Sequence, residues 1–504
     1  MSNCKLWSIG SLRLRVVCAI ALALTIEGLM RSNLNMAIVC MLNSTALSDG
    51  RSSLHNANET TTPHRAECPM LVMGSKEHVD YHGTIFWSSQ ERAVIFASFY
   101  VGGLAATLFS EKLIRCVGST KTVLYGAIAN VLGTFVTPFV ASHSELGTSP
   151  LIMVRFIMGF GQGVLWPCMS VLIAHWFPVE EKSTALAIAT TGNQLSVVIA
   201  MFATAELCQL PLGWPMAFHV YGVLGIALCI IWWLFVYDTP ADAAGVISSD
   251  ELEHISKLGK KHRPVKANWK ALLTSPVVWA VAASSFAHNY ITVGIITYLP
   301  LYYKTVLNMS LTSNGVLSAI PFVGQFVSKV AYASIADQAK ARKWMSVDAV
   351  TKISNSSASF GIAICFGILC FCDCSNRVFA IFLIFMAMAF VSGYIPGYNT
   401  SVVTIAPSQT AAIASYTRLW AQIASSLAPY LIGATTKQGS AEEWRIVFLV
   451  IVLICVVTGA FFQCFGSADI QSWDFDESRL PAEIAREELI DRTKYDETAK
   501  VINE

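Results

Sequence analysis

Long apolar runs constrain this chain more than any other feature of its sequence. A helix that crosses a bilayer needs about 20 consecutive, mainly apolar residues. Runs of this kind lie at 15–42, 91–112, 121–142, 150–177, 184–208, 214–237, 276–303, 313–335, 348–372, 376–404, 408–434 and 443–466. They are continuous rather than alternating, which favours helices over a membrane β-barrel. We therefore predict an all-α integral membrane protein with twelve transmembrane helices.

The composition excludes a soluble fold and several classes of function. Hydrophobic residues make up 54% of the 504 and charged residues only 13%, whereas a soluble protein carries about 25% charged residues. The net charge of +1 offers no electrostatic footprint for nucleic acid. The polar segments hold no nucleophile–base set, metal cluster or phosphate loop. We predict a protein of the lipid bilayer that is not an enzyme and holds no metal and no cofactor.

The 14 cysteines do not form a disulfide framework by their positions. Most lie inside the apolar runs, where a thiol behaves as a small hydrophobic group. Cys372 and Cys374 are spaced like half of a metal site, but neither a second pair nor a histidine accompanies them.

The distribution of Lys and Arg orients the predicted spans, because short cytosolic loops carry an excess of both. Basic residues cluster before the first run, between the second and third, in 238–275, and between the eighth and ninth, whereas the connections three–four and five–six contain none. We predict that both termini are cytosolic. The loop 43–86 then lies on the opposite side, where its sequons at Asn43 and Asn58 are candidates for N-glycosylation. Asn58 is the better candidate, because Asn43 lies close to the membrane.

The segment 238–275 divides the runs into two groups of six. Similar sequences follow the fourth and tenth runs, FPVEEKSTALAIATTGNQ and APSQTAAIASYTRLWAQ. Two six-helix halves joined by a cytosolic loop resemble the layout of major facilitator transporters. The predicted parts are a cytosolic amino terminus 1–14, a six-helix bundle 15–237, a cytosolic middle loop 238–275, a second bundle 276–466 and an acidic cytosolic tail 467–504.

Several segments match one family along nearly the whole chain. They include RSNLNMAIV from Arg31, the stretch from Arg155 to Pro167, TYLPLYYKTVLNMSLTSNGVLSAIPF at 297–322 and TIAPSQTAAI at 404–413. These segments resemble the solute carrier 17 family of anion transporters, and are nearest to its type I sodium–phosphate cotransporter and sialin branches. The resemblance implies a monomeric secondary active transporter that moves a small anionic substrate by alternating access, together with a co-transported cation, Na+ or H+.

Arg31 and Arg155 lie well inside predicted spans, where a charge is costly and usually faces a protein interior or a polar path. The permanent charges of Arg31 and Arg155 suit a carboxylate or phosphate. Arg31 could instead pair with Glu27, which lies four residues earlier, and Arg155 could bond to polar groups of another span. The glycine run at 159–163 would let another backbone, or the substrate, approach closely.

Gln162 bears on the coupling mechanism. It lies seven residues after Arg155, so both point to nearly one face of a helix. At the position that resembles Gln162, the sialin and vesicular glutamate branches look to have a glutamate. The type I phosphate branch looks to have a glutamine there, as this chain does. Because an amide cannot exchange protons, sodium or membrane voltage is the favoured driving force. The alternatives are an amide that only joins two helices, a proton-coupled sialin-like lysosomal exporter of acidic sugars or amino acids, and a non-transporting anion sensor.

Further candidates lie in other spans. His288 titrates near neutrality, so it could bind the anion or carry a proton, although a buried and satisfied histidine is the alternative. Tyr290, Asn35 and Asn399 are additional substrate-binding candidates, with packing hydrogen bonds as the alternative for each. Arg418 in the eleventh run is either a third anion contact or the partner of an ion pair.

Charged residues at the predicted cytosolic span ends resemble the facilitator loop motif, which latches the two halves together in one state. They are Glu111 with Arg115 and Asp337 with Arg342. Ordinary positive-inside anchoring is the alternative. The amino end lacks an acidic dileucine signal, which favours the plasma membrane over a lysosomal or vesicular membrane.

Overall fold

The computed structural model describes residues 11–43, 83–143, 147–177, 179–243, 245–248, 251–252, 255, 268–407 and 409–474. These residues form helices and one isolated bridge, between Leu42 and Ile85, but no strand. The longer helices are α1 Leu12–Met41, α2 Ser89–Val117, α3 Ser119–Ser142, α4 Ser149–Gly163, α5 Leu165–Trp176, α6 Val179–Leu207, α7 Pro215–Phe235, α8 Trp269–Thr274, α9 Pro276–Thr305, α10 Leu311–Ala341, α11 Val347–Leu369, α12 Arg377–Val391, α13 Tyr398–Thr404, α14 Thr410–Thr435 and α15 Ala441–Phe465. The predicted acceptor Asn58, most of the middle loop and the tail from 475 lie outside the described residues.

The apolar runs fold into helices that can cross a membrane. Nine segments of the described chain are long and apolar enough for this: α2, α3, α4 with α5, 188–207 of α6, α7, α10, α11, α12 with α13, and α15. Three further long helices, α1, α9 and α14, carry Arg31, His288 and Arg418. The prediction of an all-α membrane protein is confirmed, whereas the count of twelve spans stays a prediction.

Two of the predicted spans are broken rather than continuous. The fourth ends as α4 at Gly163 and resumes as α5 at Leu165. Pro167 lacks an N–H group, so it cannot bond the carbonyl of Gly163, four residues earlier. The tenth run is broken in the same way between α12 and α13, where Pro396 and a short 3-10 turn intervene. Both breaks lie beside the candidate site.

The helices pack in two groups that follow one plan. In the first group α1 lies against α6, α2 against α4 and α3 against α7. In the second, α9 lies against α14, α10 against α12 and α11 against α15. Between the groups, α6 packs on α10, α2 on α14 and α1 on α9. Each helix of the first group thus has an equivalent in the second.

The two groups are tied together at one end of the helices. We name this end, where α1 finishes at Met41, the Asn43 face, and the opposite end, where α2 finishes, the Gly118 face. At the Asn43 face Lys304 Nζ donates to Val39 O at 2.8 Å, and Gln209 Nε2 donates to Thr312 Oγ1 at 2.9 Å. Ser89 Oγ donates to the carbonyl of Thr436 at 2.8 Å. The structure is therefore closed at the Asn43 face.

The cysteines differ from expectation at one position. Those inside the helices are free thiols, and several of them, such as Cys168 and Cys455, are buried. Cys374, however, is disulfide-bonded. It lies in the short connection before α12, outside the apolar helices, where a thiol has no apolar packing role.

Candidate functional site

Arg31 lies on α1 and reaches toward α6. Its Nη2 donates to Oδ1 of Asn193 at 3.1 Å, and its Nε is buried with no partner among the described residues. Glu27, one turn earlier, is 1% exposed and does not pair with it. Oε2 of Glu27 accepts instead from Asn130 Nδ2 at 3.4 Å, and its Oε1 has no partner in the part of the chain that the structure describes. The ion pair that was the alternative for Arg31 is therefore not formed, and this guanidinium is available to an anion.

Arg155 provides a second positive charge, and this one is buried. It is 2% exposed, and its guanidinium carbon lies 4.6 Å from the centre of the Phe99 ring on α2. Its Nε has no hydrogen-bond partner within the described ranges. Arg31 is near enough for the two charges to repel each other. Burying charge without a counter-charge is costly, so this pair of guanidiniums favours the binding of an anion between α1 and α4.

The glycine run after Arg155 serves backbone packing. A Cβ atom at Gly159 would lie 1.7 Å from the carbonyl oxygen of Phe99 on α2, and one at Gly161 would lie 2.6 Å from that of Gly126 on α3. Of the two alternatives predicted for these glycines, close approach of another backbone is the one observed. The contact with α2 also holds Arg155 over the Phe99 ring.

Gln162 is buried at the end of α4, and its Oε1 has no hydrogen-bond partner among the residues described. This oxygen does not join α4 to another described helix, so the interpretation of Gln162 as a helix-pinning amide gains no support. Gln162 lies one turn before Trp166, which is the aromatic side chain that α5 presents to the second group of helices.

In the second group of helices, His288 is held by two tyrosines. Its Nδ1 is 2.9 Å from the hydroxyl of Tyr398. Its ring stacks on Tyr394 with a centroid distance of 5.2 Å and an interplanar angle of 21°. Tyr394 and Tyr398 flank the break between α12 and α13. His288 is thus a satisfied histidine in this state, and the broken helix positions its partners.

The remaining predicted binding residues divide into two kinds. Asn35 is buried one turn after Arg31, on the same face of α1, and its Nδ2 has no partner in the described chain. Asn399 is exposed, and its Nδ2 makes a long contact of 3.5 Å to the carbonyl of Tyr394. Tyr290 stacks on Phe286 in the apolar core at 6.2 Å. The structure groups Asn35 with Arg31, but it does not group Tyr290 with His288.

The structure brings two further cations to the centre of the protein. Lys329 lies on α10, and Gln194 accepts its Nζ hydrogen bond when the amide oxygen faces α10. Arg418 on α14 lies 4.7 Å from the ring centre of Trp166, with its Nε buried and unpartnered among the described residues. The ion pair that was the alternative for Arg418 is not formed with any of them. Lys329 has a sequence signal, since it is a charge inside the eighth apolar run.

The predicted gating residues pair locally. Arg115 contacts Glu111 one turn earlier on α2, and both side chains are more than 70% exposed. Lys340 Nζ is 3.9 Å from Asp337 on α10, and Arg342 lies over the Trp344 ring at 5.2 Å. None of these contacts joins the two groups of helices in this state. A latch formed by these residues stays a prediction.

A buried ion pair at the Gly118 face was not predicted. Glu251, which follows α7, accepts from Arg13 Nε at 3.0 Å and from Ser11 Oγ at 2.7 Å. It also accepts from the backbone N–H groups of Leu12 and Arg13, which begin α1. Burial by itself would raise the pKa of Glu251, but these hydrogen bonds outweigh it and hold the pKa below its usual value. Sequence alone gives Glu251 no partner, because Arg13 lies 238 residues earlier.

Comparison with known proteins defines the class of the chain. The family model of the Major Facilitator Superfamily matches residues 20–353. The D-xylose–proton symporter structure has the same fold, with a TM-score of 0.62 at 13% identity over 90% of this chain and 98% of that chain. The chain belongs to the Major Facilitator Superfamily and is a multi-pass membrane transporter, not an enzyme.

Individual proteins with similar sequences indicate which transporters of this superfamily the chain resembles. The chain is 28% identical to the transporter slc-17.3 of Caenorhabditis elegans over 92% of this chain and 89% of the relative. It is 26% identical to human sialin, covering 89% and 88% respectively. It is 27% identical to sodium-dependent phosphate transport protein 3 of Mus musculus, covering 88% and 91%. These relatives are members of the solute carrier 17 family.

Proposed function

We propose that this protein transports an organic or inorganic anion by alternating access, with Arg31 and Arg155 as the central anion-binding groups. The observation that carries this proposal is a pair of neighbouring guanidiniums, Arg155 buried and Arg31 half-buried, neither of which forms an ion pair with a described residue. Asn35 and Asn193 lie beside Arg31 and would orient the anion by hydrogen bonds. Closure at the Asn43 face corresponds to the state in which the substrate exchanges with the Gly118 face.

We propose sodium or membrane voltage as the driving force. Gln162 offers an amide on the face of Arg155, and an amide cannot carry a proton through the cycle. His288 is occupied by Tyr398, which leaves it poorly placed to exchange protons in this state. Phosphate and urate are the first substrates to test, because relatives bear names that specify phosphate or urate transport.

One observation favours the second candidate, a proton-coupled exporter of acidic sugars or amino acids. Glu27 is a buried carboxyl group one turn from Arg31, and its Oε1 has no partner among the described residues. A carboxyl group in such a place is able to take up and release a proton when the charge of Arg31 is screened by substrate. Human sialin, one of the similar proteins, makes a lysosomal membrane the corresponding location.

The experiment is uptake of labelled phosphate, urate, glutamate and sialic acid into vesicles that contain the purified protein. Sodium, pH and voltage gradients are applied one at a time. Uptake that requires sodium or voltage supports the first candidate, whereas sodium-independent, acid-driven flux supports the second. If an anion binds but moves under none of the gradients, the protein is a non-transporting sensor instead.

We also propose the membrane orientation that the Lys and Arg distribution favours, with both termini in the cytosol and the Asn43 face outside. We further propose the plasma membrane as the location and a monomer as the functional unit. Glycosidase treatment should increase the electrophoretic mobility of the wild-type protein by removing a glycan from Asn58. Asn58→Gln should show this higher mobility without treatment. Equal mobility of the untreated wild-type protein and untreated Asn58→Gln would contradict glycosylation of Asn58.

A further inference from the structure

The second group of helices contributes its own positive charges to the centre of the protein. Arg31 of α1 donates to Asn193 of α6, and Lys329 of α10 donates to the next residue, Gln194, when the amide oxygen of Gln194 faces α10. Consecutive helix residues differ by about 1.5 Å in height. The two cations, one from each group of helices, therefore lie at the same level of the interface between the groups.

Arg418 completes this arrangement from α14. Its guanidinium lies over Trp166, which is one turn after Gln162 on the broken span that also carries Arg155. Arg418 acts electrostatically on Tyr398, and Lys329 acts on His288. Since Tyr398 and His288 share a hydrogen bond, the two cations flank one histidine–tyrosine pair. This pair and its two flanking cations form the C-terminal cation cluster.

Among the described residues, positive charges outnumber negative charges at the centre of the protein. Arg31 and Arg155 stand on the first group of helices, and Lys329 and Arg418 stand on the second. Glu27 is the acid that interacts electrostatically with Arg31, and it forms no ion pair with any of the four cations. Arg155 is buried, and Arg31, Lys329 and Arg418 are half-buried. Like charges that are withdrawn from water without counter-charges are costly, and a single monoanion compensates only one of them. The arrangement therefore favours an anion that carries more negative charge than a monocarboxylate supplies.

We infer that the transported anion carries two separated anionic groups, one bound by Arg31 and Arg155 and the other by the C-terminal cation cluster. This inference rests on the proposed function and specifies its substrate class, such as a dicarboxylate or a carboxylate with a phosphate group. A substrate of this kind contacts both groups of helices at once. It would neutralise the repulsion between the four cations while the groups move relative to each other.

The test compares glutarate with its monoamide, glutaramate, which has the same length and one carboxylate fewer. Thermal stabilisation of the purified full-length protein gives both affinities, and uptake of labelled glutarate into vesicles gives transport. Glutarate should bind about 10- to 100-fold more tightly than glutaramate, because one charge-assisted contact is lost in the amide. Equal affinities overturn the inference.

Two variants locate the second anionic group. Lys329→Gln and Arg418→Gln should each weaken glutarate binding by about 10-fold or more and leave glutaramate binding unchanged. Arg418→Lys keeps the charge and should retain most of the affinity for glutarate. Arg445→Gln removes an exposed arginine of α15 and serves as the matched control. Equal losses for both ligands would show that the C-terminal cluster does not bind a separate group, and would overturn the inference.

The wider anion panel separates failure of this inference from failure of the proposed function. If phosphate or urate is transported while glutarate and glutaramate neither bind nor move, the requirement for two separated groups is wrong and anion transport stands. If none of the tested anions binds or moves, the inference and the proposed function are both rejected.

Discussion

At the scale of single residues, the site is defined by buried and half-buried positive charges that form no ion pair with a described residue. Arg31 and Arg155 could be predicted because a charge in an apolar run is rare and expensive. Lys329 carries the same signal but no family motif. The partner of His288 could not be predicted, because Tyr398 lies 110 residues later and meets it only through the break before α13.

Gln162 permits a direct test of the coupling mechanism. Replacing it by Glu places a titratable group on the helix face of Arg155. When ionised, the new carboxylate would compete with the anion for Arg155, so uptake should fall at neutral pH. It should recover as the pH falls, because the protonated acid is neutral like the native amide. The measurement is uptake as a function of pH, with Gln162→Met as the uncharged control. A pH profile of Gln162→Glu that is identical to that of the wild type would contradict a place for Gln162 beside the bound anion.

At the scale of helices, the apolar runs could be predicted from sequence, whereas the two breaks could not. Pro167 and Pro396 are visible in the sequence, but transmembrane helices tolerate proline when neighbouring groups satisfy the backbone. Which proline interrupts a helix depends on the surrounding packing. The breaks matter because they place Trp166, Tyr394 and Tyr398 at the centre of the protein.

The close packing of α4 on α2 makes Gly159 the most restrictive position of the glycine run. A Cβ atom there would overlap the backbone carbonyl of Phe99, so Gly159→Ala should destabilise the protein by about 1–3 kcal/mol and lower its amount at the cell surface. A Cβ atom at Gly367 on α11 would meet no described atom within 4 Å. Gly367→Ala is the matched control and should be neutral or stabilise by up to about 1 kcal/mol. Thermal unfolding in detergent measures both, and equal midpoints would contradict the predicted difference.

The carboxylate of Glu251 joins the start of α1 to the segment after α7. Glu251→Gln should lower stability at pH 7 by about 2 kcal/mol, since it weakens hydrogen bonds to a charged group. The folded-state pKa of Glu251 lies below the unfolded value, which is about 4.3. Its stabilising effect is therefore complete above that value and is lost as the pH falls through the folded pKa.

The difference in thermal midpoint between wild type and Glu251→Gln should accordingly shrink as the pH falls below about 4.3 and disappear once the pH is below the folded pKa of Glu251. Glu442→Gln, which removes an exposed carboxylate from the first turn of α15, is the control. A difference that stays constant from pH 7 down to the lowest pH at which both proteins remain folded would show that the charge of Glu251 is not what stabilises this contact.

At the scale of the whole molecule, the packing plan explains how charges far apart in sequence meet. The pairs α1–α6, α2–α4 and α3–α7 recur as α9–α14, α10–α12 and α11–α15. The sequence showed this repeat only weakly, as similar segments after the fourth and tenth runs. It did not show which end of the interface is closed, because closure depends on contacts such as Lys304 with Val39, which form between the two groups of helices.

The central claim is that Arg31 and Arg155 hold the transported anion. The most direct measurement is anion uptake into vesicles by Arg31→Ala and Arg155→Ala, with Arg445→Ala as the exposed-arginine control and the amount of folded protein matched between samples. We predict that both central variants lose uptake under every gradient and that the control transports like the wild type. Uptake that persists in either central variant would remove that arginine from the binding site and contradict the claim.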